Sequence, residues 1–555
     1  MPATPILAPG PAADTAARSV AASRRSDWIG AGVALLGSAL LFLLSNSVQY
    51  GDAATYAKEI RAGRLIEPGH LAWRPLGHLA VSLTGLLHSD SEVLWVLQWL
   101  SLLFSALSVA ALWLFLRRRA GCGPVGAGAA AALLAVSNGF WGYSFSGCSY
   151  SLSVLLVIAA MGCTCCPERP VSAVRALLAG ALAGAAASSW AIQVLALPGL
   201  FLLLVLTPPW ERALWPVHLR NACAMAGSWI LTFLLPLLAA YAWQAHHPQS
   251  QADTPPRVFA GFGQWLASSN HGIAPQLSLA QSLRVVIGWP QSILSSHELG
   301  QGLRLWRLHE HSFPWSAWML TPLIVYALTA FCAWRLLRSF RGGSQFERGL
   351  IIASAVAIGA NLLFGALWTG TALERYFPSL PFQLLLLALA LKPLSDVRRA
   401  TAMIVITLCF LAWTNWYAAY LTVFSSHTYR QVWLRELRRV ATGRDLVIVL
   451  GQNIFVVTAP HDPQMPRIDN LAIEIPSHGA DWETGVRKDI EAAVQGGGRV
   501  FLGDSLFDSA TARRNGWSFK EAPSPSPQEI KNAFLPLKSD TVAFSADGEQ
   551  VWLAR

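Results

Sequence analysis

The chain has 555 residues, of which 54% are hydrophobic and only 13% charged, and its mean hydropathy is +0.42. That charge is too sparse to cover a soluble protein of this length, and the apolar residues cluster into stretches of about 18 to 25, long enough to cross a bilayer core. The net charge of +10 sits in short Lys/Arg clusters between apolar stretches, a pattern that sets membrane topology and speaks against a nucleic-acid surface.

Residues 1–26, rich in Ala, Pro and Ser and carrying Arg18, Arg24 and Arg25, read as a disordered cytoplasmic tail. The apolar stretch from Trp28 to Asn46 follows these arginines and is too long for a signal-peptide core, so it reads as an uncleaved anchor. A polar segment runs from Gly51 to His70. The next apolar run, 72–87, is interrupted by Arg74 and His78 and is ambiguous. The cluster Arg117-Arg118-Arg119 decides it. If 72–87 lies along the outer surface, the helix over 92–116 runs inward and its arginines are cytoplasmic, as the positive-inside rule prefers. Further spans are expected near 123–138, 147–163, 173–190, 191–207, 219–243, 313–337, 349–369, 376–392 and 400–424. This gives a polytopic α-helical membrane protein of eleven transmembrane helices in the inner (cytoplasmic) membrane, with a transmembrane module over 27–427. The outer face then carries 47–91, turns near 139–147 and 370–375, the long loop 244–312, and everything after Ser425. Within the long loop, the apolar stretch 277–296 reads as a second surface helix, and Trp265, Trp289, Trp306, Trp315 and Trp318 fit an interfacial belt.

The C-terminal portion, 428–555, changes character. Asp445–Leu450 reads as a buried strand, Leu471–Ile475 as a second, 482–494 as a helix and Arg499–Leu502 as a third strand. Alternating strands and helices predict a small extracytoplasmic α/β domain. The run Gly496-Gly497-Gly498 precedes a strand, whereas a dinucleotide fingerprint follows one, so it reads as a helix-ending turn. Cys163, Cys165 and Cys166 lack a second pair or histidines at zinc spacing and read as packing residues.

Chemistry-bearing residues gather on the outer segments. Asp52, in Gly51-Asp52-Ala53-Ala54-Thr55-Tyr56, stands at the membrane edge. It can cap a surface helix, or act as a general base whose carboxyl is made more basic by desolvation; Tyr56 falls on its face at i, i+4. His70, Arg74 and His78 lie where a lipid phosphate would approach. Arg375 is either a snorkelling arginine paired with Glu374 or a bidentate phosphate ligand. His309, Glu310 and His311 are weak candidates for a divalent metal, since adjacent residues do not share a helical face.

The segment GDAATYAKEIRAGRLIEPGHLAWRPLGHL resembles the first outer loop of the GT-C superfamily of membrane glycosyltransferases, which includes protein O-mannosyltransferases and aminoarabinose transferases that modify lipid A. Phe140–Leu152 is similar to the second outer turn of a mannosyltransferase-related branch, and Leu373–Pro378 to an Arg-Tyr motif before a late span. The resemblance implies a GT-C-like fold, a sugar donor on polyprenyl phosphate, and a protein, lipid or glycan acceptor outside the cytoplasm. It implies Asp52 as base and Arg375 on the donor phosphate, with Tyr56, Arg74, His70, His78 and Tyr150 lining the substrate site. It requires no cofactor and leaves a divalent metal open. One departure stands out: where the branch has a second acid, this chain has Cys148, Ser149 and Tyr150, and no carboxylate occurs between Glu92 and Glu168. The rival readings are a lipid or glycan transporter, which would carry ionisable groups within its spans, and a non-catalytic envelope assembly protein.

Overall fold

A computed structural model describes residues 11–43, 53–87, 90–167, 170–207, 214–246, 285–286, 288–290, 292–294, 315–367, 373–392, 398–423, 429–450, 466–471, 475, 481–514, 525–546 and 549–554. The helical part is built from α1 (Pro11–Leu43), α2 (Ala53–Arg61), α3 (Trp73–Thr84), α4 (Asp90–Arg118), α5 (Pro124–Val136), α6 (Asn138–Tyr143), α7 (Tyr150–Thr164), α8 (Ala173–Ser189), α9 (Leu197–Leu206), α10 (Trp215–Trp229), α11 (Leu235–His246), α12 (Trp315–Gly342), α13 (Gln345–Leu367), α14 (Leu380–Leu391) and α15 (Arg398–Val423). A helix stands at each of the eleven expected span positions. By length and composition, four stretches are long and apolar enough to cross a membrane: Arg24–Leu43, Glu92–Arg118, Trp215–Trp243 and Gln345–Leu367. Their outward positions carry large apolar side chains such as Leu36, Leu103, Leu231 and Leu363, a surface suited to lipid rather than water. The middle of the third stretch is a π segment, Ile230–Leu234, that joins α10 to α11.

The expected disordered tail is helical from Pro11 onward. Pro11 fits the first turn, and Ala12, Ala13, Ala16, Ala17, Ala21 and Ala22 have the highest intrinsic helix propensity. The α1 helix runs antiparallel to α4. Asp27, at the middle of α1 where its apolar stretch begins, pairs with Arg117 Nε at 2.9 Å and Arg118 Nε at 3.5 Å, and its carbonyl accepts from Trp113 Nε1 at 2.9 Å. Two of the three clustered arginines thus neutralise a buried carboxylate at that end of the bundle. At the other end, α2 and α3 pack on the first turns of α4. Gly77 of α3 is the contact point: a Cβ there would lie 2.7 Å from Leu97 and 2.8 Å from Ile60. The α3 helix, with 12 residues, is about 18 Å long, short of the ~30 Å apolar core.

Close helix pairs depend on small residues, which let backbones approach where apolar burial offers little drive. A Cβ at Gly126 of α5 would lie 2.8 Å from the Ala388 carbonyl of α14. At Gly180 of α8 it would overlap the Met225 carbonyl of α10.

The C-terminal domain begins with α16 (Tyr429–Val440) and holds β1 (Leu446–Val449), β2 (Arg467–Asn470), α17 (Trp482–Gln495), β3 (Val500–Gly503), α18 (Ser509–Arg514), α19 (Pro527–Phe534), β4 (Lys538–Ala546) and β5 (Glu549–Ala554). The sheet order is β2-β1-β3-β5-β4, parallel for β2-β1-β3 and antiparallel for β3-β5-β4. The second strand therefore precedes the expected 471–475. Arg467 and Asp469 face one side, where Arg467 pairs with Asp469 at 2.8 Å and Asp489 at 2.7 Å, while Leu471 and Ile475 enter the core from helical positions. Gly497 has φ +74°, and Gly498 N–H reaches back to the Ala493 carbonyl at 2.9 Å, so the triple-glycine run ends α17 as expected.

Asp445 anchors β1 to β3. Its Oδ1 accepts from Arg499 N–H at 2.7 Å, and its Oδ2 from Thr442 N–H at 2.7 Å and the Arg499 guanidinium at 2.8 Å. Burial pushes this carboxyl up, but the hydrogen bonds from Arg499 and Thr442 outweigh it and hold the carboxyl at about 2. The stability Asp445 contributes is therefore complete above its unfolded value of about 3.9 and lost as pH falls towards 2. In the full chain, hydrogen exchange of the β1 and β3 amides is expected to accelerate between pH 4 and 2.5 beyond the intrinsic trend, and Asp445→Asn is expected to remove that step. An unchanged step in the variant contradicts the assignment. For the bundle, Gly180→Val is expected to cost about 1–3 kcal/mol by pushing α8 off α10. Gly162→Ala, where a Cβ meets nothing within 4 Å, is expected to leave thermal unfolding in detergent unchanged.

Candidate active site

The site lies at the end of the bundle where α2 and α3 sit. Ala53, Tyr56, Ala57 and Ile60 recur at helical spacing and are buried, so α2 lies flat with that stripe facing α4. His70 follows it and is also buried. Its Nδ1 lies 3.0 Å from both Ser149 Oγ and the Ser189 carbonyl. A carbonyl only accepts, so Nδ1 carries a proton and donates it here. Tyr56 meets the His70 ring edge-on at 5.2 Å. Arg74 lies over the Tyr56 ring at 5.7 Å and pairs with Glu67 at 2.8 Å. The loop is stitched to the bundle through its backbone: Ala72 N–H donates to the Ser188 carbonyl at 2.8 Å, and Ala191 N–H to the Gly69 carbonyl at 3.1 Å. Trp73 Nε1 donates to the Gly147 carbonyl at 3.1 Å.

The turn between α6 and α7 is buried, which its serines make tolerable. Ser144 donates to the Trp141 carbonyl at 2.7 Å, Ser146 to that of Tyr143 at 3.0 Å, and Ser101 of α4 to that of Cys148 at 2.9 Å. Gly147 takes φ +86°, and a Cβ there would sit 3.3 Å from Ala53, so this turn touches the start of α2. Tyr150 then packs edge-on against Tyr143 and Trp190, each at 4.8 Å, and against Phe377 at 6.1 Å.

A short 3₁₀ turn, Leu373–Tyr376, brings in the last members. Tyr143 OH donates to Glu374 Oε2 at 3.0 Å, and Glu374 Oε1 lies 3.8 Å from Arg375 Nε. Arg375 is buried; burial pulls its pKa below the ordinary arginine value, and Glu374 opposes that shift. A guanidinium stays protonated under such a shift, so Arg375 is a desolvated cation. The turn is fixed by Asn361 of α13, whose Nδ2 donates to the Arg375 carbonyl at 2.8 Å while Ser379 Oγ donates to its Oδ1 at 2.6 Å.

Tyr56, His70, Arg74 and Tyr150 thus share one set of contacts, and Arg375 joins it through Glu374 and Tyr143. His78 sits one turn further along α3, half-buried, and joins none of these contacts. Asp52, His309, Glu310 and His311 lie outside the described residues. Among the described residues, no group of three or more His, Cys, Asp or Glu side chains could hold a metal ion. Sequence reasoning missed Tyr143 and Asn361, and treated Glu374 only as a neighbour of Arg375. An asparagine inside an apolar span is a signal that could have flagged Asn361.

No family model and no curated protein matches the chain. Solved structures do. The chain is similar to ArnT from Cupriavidus metallidurans bound to undecaprenyl phosphate, with 11% identity, 94% of this chain and 98% of that one covered, and a TM-score of 0.53. A looser likeness links it to the oligosaccharyltransferase AglB from Archaeoglobus fulgidus in complex with an inhibitory peptide and a dolichol-phosphate, at 13% identity, 93% and 74% coverage and a TM-score of 0.45. The first shows that the chain shares its fold with that ArnT structure.

Asn361→Leu leaves the buried Arg375 carbonyl without its donor and is expected to cost about 1–3 kcal/mol. Thermal unfolding in detergent measures it; a variant as stable as the parent contradicts the anchoring role.

Proposed function

We propose that the protein transfers a sugar from a polyprenyl-phosphate donor to a protein, lipid or glycan acceptor outside the cytoplasm. The observation that carries this reading is the desolvated Arg375 beside Glu374, Tyr143 and the ring cluster of Tyr150, Trp190 and Phe377, in a chain with the fold of a protein solved with undecaprenyl phosphate bound. A guanidinium in such a site binds a phosphate strongly, because little water competes for it. In this reading all eleven helices cross the inner membrane, the N-terminus is cytoplasmic, and the 428–555 domain stands outside with the site.

The proposed step is direct displacement. Asp52 takes the proton of an acceptor hydroxyl or amine, the acceptor atom bonds to the anomeric carbon, and the bond from that carbon to the phosphate oxygen breaks. Polyprenyl phosphate leaves with the electron pair, and Arg375 stabilises the charge it gains. Glu374 holds the guanidinium in place and stands where the turn 144–150 offers no carboxylate of its own. Arg74 and His70 Nε2 are placed to orient the donor head, with Tyr56 and Tyr150 as its walls. A divalent metal, for which the 309–311 segment offers the candidate ligands, is not needed for this charge balance.

A lipid transporter reading has less support, because the apolar stretches 28–43, 93–116, 124–163, 176–207, 221–243, 315–334, 349–367, 376–391 and 400–423 contain no Lys, Arg, Asp or Glu to line a path through the bundle. The test is sugar transfer in proteoliposomes with a panel of polyprenyl-phosphate sugars and extracted envelope acceptors. Asp52→Asn and Arg375→Ala are each expected to lower transfer by about 100-fold or more, with donor binding kept by the first and lost by the second. Full transfer by Asp52→Asn removes Asp52 as the base. No transfer from any donor by folded protein favours the transporter or assembly roles.

A further inference from the structure

At the opposite end of α13 and α14 from the candidate site lies a cavity of about 460 Å³. Its walls are the last turn of α12 and the residue after it (Ser339, Gly342, Gly343), the first turns of α13 (Glu347, Ile351) and the end of α14 with the residue that follows (Leu389, Lys392). Ile351 and Leu389 make an apolar floor, while Lys392, paired with Glu347 at 2.7 Å and half-exposed, stands at the mouth. The Arg348 guanidinium reaches the Arg341 carbonyl at 3.1 Å, one residue from the Gly342-Gly343 wall, so a second cation flanks the mouth. Arg335, Arg338, Arg341, Arg398 and Arg399 follow on the adjoining helix turns, against the single described carboxylate Glu347. The cavity is therefore amphipathic, with an apolar base and a strongly cationic rim.

The neighbouring surface identifies the level of a membrane interface. Arg338 lies over the Trp334 ring at 4.4 Å, Arg335 over the same ring at 5.9 Å, and Arg348 over the Phe340 ring at 5.9 Å. Trp334, Leu337 and Phe340 are exposed beside them. Aromatic rings capped by arginines are what a helix presents at the headgroup layer, with apolar residues continuing into the acyl region. A soluble anion would use the cationic rim but has no use for the apolar floor and the exposed apolar strip. A lipid uses all three.

From this we propose that the α12–α13–α14 cavity is a binding site for an acidic phospholipid of the inner leaflet. Its phosphate would exchange for Glu347 on Lys392 and sit near Arg348, its headgroup would fill the cavity mouth, and its acyl chains would lie along Leu337 and Phe340. The site is separate from the proposed donor site and does not depend on the transfer reaction. Basic pockets between helices on the cytoplasmic side suit such headgroups. Gly342 offers a means of closing the site without touching a charge, because a Cβ there meets nothing within 4 Å.

The test uses the full chain in nanodiscs of phosphatidylcholine mixed with phosphatidylglycerol, followed by extraction into mild detergent and native mass spectrometry of the retained lipid. Phosphatidylglycerol is expected to be retained about tenfold or more over its share in the bilayer. The double variant Lys392→Gln with Arg348→Gln, both at exposed positions, is expected to bring that ratio close to one, and Gly342→Leu to do the same with every charge in place. Equal retention of the two lipids by the parent protein overturns the proposal. So does a preference that survives both variants. Glycerol 1-phosphate in solution is expected not to compete; displacement of the lipid by millimolar glycerol 1-phosphate would mark a soluble-anion site and also overturn it. Should Gly342→Leu fail to fold, the charge variants decide the outcome alone.

Discussion

Everything at the candidate site depends on how a short, partly polar loop is held against the end of an apolar bundle. His70 is the centre of that attachment. Its Nδ1–H faces Ser149 of one helix pair and the Ser189 carbonyl of another, while Ala72 and Gly69 exchange backbone hydrogen bonds with Ser188 and Ala191 on either side. These groups are buried, so each bond lost would leave a polar atom without water, and that penalty is what makes the arrangement rigid. The loop in turn sets α2 and α3 flat on α4, so that Tyr56 and Arg74 face the turn bearing Tyr143 and Tyr150.

The same constraint accounts for the serines. A turn sunk among apolar helices has carbonyl and N–H groups that no solvent can reach. Ser101, Ser144 and Ser146 satisfy them from within, each through a hydroxyl that can rotate to its partner. Asn361 does this for the Arg375 turn. Charges obey a sharper version of the rule. Asp27 is buried and met by Arg117 and Arg118 at one end of the bundle; Arg375 is buried and met by Glu374 at the other. The first pair ties α1 to α4. The second leaves a cation and a carboxylate among aromatic rings, an environment suited to holding a charged phosphate ester.

Much of the helical layout was legible because the bilayer permits so few solutions: an apolar stretch of sufficient length, bounded by arginines, has to be a helix. The 72–87 run, interrupted by Arg74 and His78, was ambiguous taken alone and was set on the outer surface only by the Arg117–Arg119 cluster; it forms the short α3. The strand cores around Val447 and Phe501 showed themselves as short apolar runs. What escaped notice was long-range. Nothing local marks Glu374 as the partner of Tyr143, 231 residues away in sequence. The strand of Arg467–Asn470 has alternating charges that pair only once the fold is formed, and the Asp547-Gly548 pair between β4 and β5, a two-residue hairpin signature in the sequence, was passed over. The helical start of α1 was missed because an Ala- and Pro-rich composition was weighed as disorder, whereas the alanines favour helix wherever proline is confined to the first turn.

The most direct test of the central claim is to find where a polyprenyl phosphate sits. A photoreactive polyprenyl-phosphate probe, bound to the purified protein in nanodiscs and crosslinked by light, would be mapped by peptide mass spectrometry. The account predicts adducts in 53–78, 140–150 and 373–377, competed by unlabelled polyprenyl phosphate and lost in Arg375→Ala. Adducts confined to the α12–α13–α14 end of the bundle, or an unchanged pattern in Arg375→Ala, would contradict it.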